Sequence, residues 1–137
     1  MKQRIEALYE EWQQATGPRE RDRMVAEALG GEVFATPEGL RVRWHHEGLP
    51  AEEPLPEYTT HLTAAARAMD QAWDLVEEFA PVRIHCRRDP NHPTQRGDCV
   101  VEWWPDEESH VATPRFPTEA ESRAFAAFAF ARLQRQV

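Results

Sequence analysis

Apolar residues recur at helical spacing in four stretches of the chain and alternate with polar residues in four others. The clearest helical stretch spans 60–79. Leu62, Ala65, Ala66, Met69, Ala72, Trp73, Val76 and Phe79 lie three or four residues apart and form one apolar stripe. Thr63, Arg67, Asp70, Asp74, Glu77 and Glu78 take the opposite face. Thr59 or Thr60 is placed to cap the first turn through its hydroxyl. A helix over 3–16 carries Ile5, Leu8, Tyr9, Trp12 and Ala15 on one side. Gly17 ends it, and Pro18 suits the first turn of a second helix over 18–29, which Gly30-Gly31 stops. The last helix, 118–135, opens on Thr118-x-x-Glu121, a capping-box pattern. From Ala124 to Ala131 it is apolar nearly all round, so it should be buried on more than one side.

The alternating stretches predict strands over 32–36, 40–46, 82–87 and 98–104. Pro37-Glu38-Gly39 is a turn signal between the first two. Residues 47–57, acidic and proline-rich, read as a solvated connection that could also serve as a docking surface. His110–Phe116 offers a short edge strand, with Pro114 and Pro117 keeping it from a sheet centre. These elements predict an α+β domain: a small, mostly antiparallel sheet of about four to five strands with four helices, arranged like an α/β/α sandwich.

Composition narrows the function classes. A chain of 137 residues, 41% hydrophobic and 29% charged, is expected to fold as one domain over 1–137. A formal net charge of -8 argues against broad nucleic-acid or anionic-membrane binding, which need a basic surface. No apolar run approaches a membrane span, and the charged N-terminal stretch lacks a signal-peptide core, so the expected location is cytoplasmic. Apart from Lys2, the cationic chains are arginines, which suit bidentate anion recognition.

Three segments carry a resemblance. They are RDRMVAEALGGEVF at 21–34, the Tyr58-Thr59-Thr60 element leading into AAARAMDQAWDLVEEF, and TEAESRAFAAFAFARL at 118–133. Together they resemble the phage ABA sandwich domain, a group of small phage and prophage proteins. His61 stands where that group commonly has an acid, and Ser122 where it often has a cysteine. The resemblance implies a sheet with helices on both faces and a phage or prophage origin, hence a host-cell cytoplasm. It implies no activity and transfers no functional residue.

Candidate chemistry centres on the polar sides of the strands. Leu40, Val42, Trp44, Val82, Ile84, Cys86, Cys99, Val101 and Trp103 mark one apolar face. Arg41, Arg43, His45, Arg83, His85 and Arg87 mark the other, with Trp104 as a stacking platform. Were all the strands in one sheet, this face would suit a phosphate-bearing ligand or an acidic protein patch. Ion pairing with Glu6, Glu10 and Glu11 of the first helix is the structural alternative. Cys86 and Cys99 flank one loop and are read as buried free thiols, with a disulfide or a zinc site including His92 as minor alternatives. The His45-His46 pair belongs to no HExxH pattern, and there is no Gly-x-Ser-x-Gly, Walker-type loop or GxGxxG. No cofactor is implied. The expected function is non-enzymatic: binding a host protein and modulating or inhibiting it. The alternative is a nucleotide- or small-ligand-sequestering module on the arginine face.

Overall fold

The computed structural model describes residues 2–45, 47–74, 82–89, 92–104, 108 and 110–135, with backbone alone at 2–3, 86–89, 92–98 and 134–135. In chain order the elements are α1 (Lys2–Gln14), α2 (Pro18–Ala28), β1 (Glu32–Thr36), β2 (Gly39–Arg43), β3 (Glu52–Pro54), α3 (Leu62–Trp73), β4 (Val82–Asp89), β5 (His92–Trp103), β6 (Val111–Ala112) and α4 (Glu119–Arg135). The fold is α+β, with four helices and antiparallel strands.

The single sheet expected from the strand pattern is instead two three-stranded sheets, β1-β2-β3 and β4-β5-β6. The physical reason lies in the segment read as a solvated connection. Glu52–Pro54 pairs with β2 and occupies the edge that a further strand would need. Leu55, just beyond it, is buried. The second sheet closes on the short β6, as the 110–116 stretch suggests. There Thr113 N–H donates to Val101 O at 2.9 Å, and Phe116 and Cys99 exchange main-chain bonds at 2.7 and 2.9 Å.

The phenylalanine-rich helix α4 lies at the centre. It contacts α1, α2, α3 and β5. Every residue from Ala124 to Ala131 is buried. One cluster of buried apolar side chains runs through all four helices and both sheets. Trp12 of α1 meets Phe125 edge-on, with centroids 5.4 Å apart at 80°. Trp73 of α3 stacks on Phe130 at 4.8 Å and 19°. Pairs of this kind contribute about 0.5–1.5 kcal/mol beyond their burial. Ala65, Ala68 and Ala72 of α3 are buried, so α3 packs with small residues against the alanines of α4.

Several local expectations change. The helix expected over 60–79 is α3, Leu62–Trp73; Val76 and Phe79 lie outside the described residues. Its N-cap is His61, without a side-chain cap. Neither Thr59 nor Thr60 caps it, because Thr59 is committed to Asp22 of α2, both through its hydroxyl at 2.7 Å and through its N–H at 2.8 Å. Leu62, expected on the packed stripe, is exposed. At α4 the Thr118 hydroxyl accepts the Glu121 N–H at 3.2 Å, half of the capping box. The Glu121 carboxylate turns instead to Trp12 Nε1, 3.4 Å away, and Arg21, 3.8 Å away.

The α2–β1 junction is closely packed. Gly30, at φ 96°, and Gly31 close the helix with N–H bonds to Glu27 O and Ala26 O, the Schellman arrangement. A Cβ on Gly31 would lie 2.5 Å from Val42 Cγ2 and 2.9 Å from Trp44 Cζ3. Gly31→Ala is therefore expected to cost about 1–3 kcal/mol through overpacking. Urea unfolding should show a lowered midpoint at unchanged slope; an unchanged midpoint would contradict this packing.

Candidate functional site

The strand register sorts the polar residues onto two separate surfaces. On the first sheet, Arg43 lies across from Glu32 of β1 and Glu52 of β3. Arg41 Nε donates to Glu52 Oε1 at 2.8 Å. Arg43 lies 3.7 Å from Glu32 and 3.9 Å from Glu52, with its guanidinium over the Phe34 ring at 4.9 Å. His45 approaches Glu32 at 3.8 Å. The arginines of this face are thus matched by carboxylates from its own sheet. Among the described residues, no ion pair joins them to Glu6, Glu10 or Glu11; Glu11 instead meets Arg132 of α4 at 3.0 Å.

Arg83, His85 and Arg87 belong to the second sheet, on β4. The single face of four arginines is therefore not assembled, because β2 and β4 sit in different sheets. The Arg87 side chain, His46 and the His92 side chain lie outside the described residues. On β4 and β5, register places Arg83 across from Glu102. Period-two alternation puts His85, Glu102, Trp104 and His110 on that same side. Glu102 is the hub: His85 Nε2 lies 2.6 Å from Oε2, and His110 Nε2 3.1 Å from Oε1. Burial works to raise the Glu102 carboxyl, but the hydrogen bonds and charge of the two imidazoles outweigh it and hold the group below its usual range. The Trp104 and His110 ring centroids lie 5.1 Å apart, and the Arg83 guanidinium lies 6.0 Å from the centroid of the Trp104 ring. Alternation alone marked Arg83, His85 and Trp104. The roles of Glu102 and His110 depend on the β5–β6 pairing, which the sequence only hinted at.

Beside this face lies a cleft of about 410 Å³, lined by Ile5 and Glu6 of α1 and by His110 to Pro114. Its walls are mostly apolar. No described residue pairs with the Glu6 carboxylate.

A second polar system is internal. Asp22 is fully buried and receives Thr59 together with Arg19 Nη1 at 2.9 Å. Arg19 also donates to Leu55 O at 3.0 Å. Glu53, on the inward side of β3, accepts both terminal nitrogens of Arg67 and Trp44 Nε1 at 2.7 Å. The Arg67 hydrogen bonds hold its carboxyl below the usual range, with burial opposing and Trp44 assisting. Tyr58 is fully buried, and burial pushes its hydroxyl upward. The carboxylates of Asp22 and Glu53 are thus each satisfied by protein donors. The Tyr-Thr-Thr element that carried part of the resemblance is an anchor between α2 and α3.

Cys99 is fully buried and disulfide-bonded, which corrects the expectation of free thiols. His85 pairs with Val100 and Arg87 with Gly97, with a register shift between them; the Cys86 side chain lies outside the described residues. Among the described residues, no group of His, Cys, Asp and Glu is arranged to hold a metal ion. No described helix is long and apolar enough to cross a membrane. No family model, curated protein or solved structure matches the chain.

Two measurements check the internal polar system. The depressed Glu53 carboxyl contributes stability that is present above the ordinary carboxylate range and is lost as pH falls through and below it. Glu53→Gln should therefore cost about 1–3 kcal/mol near neutrality. Its deficit against the unchanged protein should shrink on acidification, as read by denaturant unfolding across pH. A deficit constant with pH would refute the ion pair. Tyr58→Phe removes a buried hydroxyl that has no hydrogen-bond partner among the described residues. It should leave the melting temperature unchanged or raise it; a clear drop would reveal a partner for that hydroxyl.

Proposed function

We propose that the protein is a non-enzymatic interaction domain that recognises a partner protein through the open face of the second sheet. The observation that carries this reading is the cluster of Arg83, His85, Glu102, Trp104 and His110. It combines an arginine, a tryptophan and two imidazoles around one carboxylate on the second sheet and its margin. Arginine and tryptophan are the residue types that most often dominate protein–protein binding energy. Glu102 preorganises the two histidines, so their ordering entropy is already spent before a partner arrives.

The resemblance to phage ABA sandwich domains extends the reading to a host protein in the cytoplasm, modulated or inhibited by occlusion. A phosphate-bearing ligand on the arginine side of the first sheet is less favoured. Arg41 and Arg43 are already engaged by Glu32 and Glu52, and a ligand would have to displace those carboxylates.

A photo-crosslinking residue at Val100, on the open face, should trap a discrete species from source-cell lysate that mass spectrometry identifies. The same residue at Asp70, on the exposed side of α3, should not. Arg83→Ala combined with Trp104→Ala should cost at least about 2 kcal/mol of affinity for that species, roughly thirty-fold, with unchanged circular dichroism. Equal trapping from both positions, or full retention in the double variant, would count decisively against this face.

A further inference from the structure

The cleft beside β6 has the chemistry of a subsite for a basic side chain. We infer that it accepts a lysine or arginine of an extended partner segment whose main chain pairs with Ala112. The inference rests on the protein-binding reading above and adds the chemistry of the partner.

The geometry begins with the pairing of β6. Thr113 N–H donates to Val101 O and Val101 N–H donates to the Thr113 hydroxyl at 3.1 Å, so Thr113 turns its N–H toward β5. Alternation in an antiparallel ladder then turns the N–H and C=O of Ala112 away from β5. Ala112 is exposed and lines the cleft. It therefore offers a donor and an acceptor side by side, the element that strand addition uses. Pro114 limits this open edge to a short stretch, so the main-chain register of an added segment is fixed.

The second observation is the charge of the cleft. Ile5, Val111 and Pro114 provide apolar walls, and Glu6 provides a carboxylate with no partner among the described residues. Apolar walls beside an anion fit an alkyl stem with a cationic head. The volume of about 410 Å³ falls in the range of ligand sites. The net charge of -8 favours a basic partner segment over an acidic one.

The test is a calorimetric titration of the whole chain with acetyl-Thr-Val-Lys-Val-Thr-amide, with its norleucine analogue and with n-butylamine. The lysine peptide should bind, and norleucine in place of lysine should weaken binding at least about tenfold. Glu6→Gln should weaken the lysine peptide by a similar factor and leave the norleucine peptide unchanged. Ala112→Pro removes the outward N–H while sparing the β5 pairing, and should weaken both peptides. Three results would overturn the inference: no heat from the lysine peptide up to about 10 mM, equal affinity for the norleucine peptide, or butylamine binding as tightly as the lysine peptide. The last would mark a site for free amines. Glu6 is exposed, belongs to α1 and makes no contact with Arg83 or Trp104 among the described residues, so a failed titration counts against the cleft, whereas a cross-link insensitive to Arg83→Ala with Trp104→Ala counts against the sheet face.

Discussion

The burial of α4 is the constraint on which the other elements depend. Between Ala124 and Ala131 the helix has no solvent-facing side. Each direction must then be covered: α3 on its alanines and Phe130, α1 on Phe125 and Phe128 through Trp12, with α2 and β5 also against the helix. Truncating a buried phenylalanine of this kind typically costs about 3–5 kcal/mol. The alternation of Phe with Ala supplies both large residues to interlock and small ones that let neighbouring helices approach. The amphipathic α3, the most conspicuous helix by sequence pattern, is one of the covers.

Polar groups fix how those covers are joined. Asp22 ties α2 to Thr59 ahead of α3, and Arg19 of the same helix holds the carbonyl after β3. Glu53 bridges β3 to Arg67 of α3 and Trp44 beyond β2. A buried carboxylate is tolerated only where donors surround it. These networks therefore specify register and orientation more than they add stability. They also explain why the acidic 47–57 stretch is docked: two of its residues, Glu53 and Leu55, have their partners inside the fold.

The exposed surfaces divide by how their charges are matched. The first sheet neutralises its arginines within itself. The second keeps a mixed aromatic, basic and imidazole cluster around Glu102, next to a cleft whose carboxylate has no partner among the described residues. The contrast arises from neighbouring strands: β3 brings Glu52 to Arg41 and Arg43, whereas β6 brings a histidine and an alanine to Glu102 and Trp104.

The sequence by itself determined the α+β class, α2 and β1 nearly to the residue, and the all-round burial of α4. Each follows from local periodicity or from glycine, proline and threonine signals that act within a few residues. It also marked Arg83, His85 and Trp104 as one side of a sheet. Tertiary structure decided what pairs with what: that the strands form two sheets, that Thr59 serves Asp22 and not a helix end, and that Glu52 and Glu102, not the α1 glutamates, answer the basic side chains. The reason is physical. Alternation says which side of a strand a residue faces, but strand partners are chosen by loop closure and core packing, where a three-residue strand such as β3 carries almost no local signal.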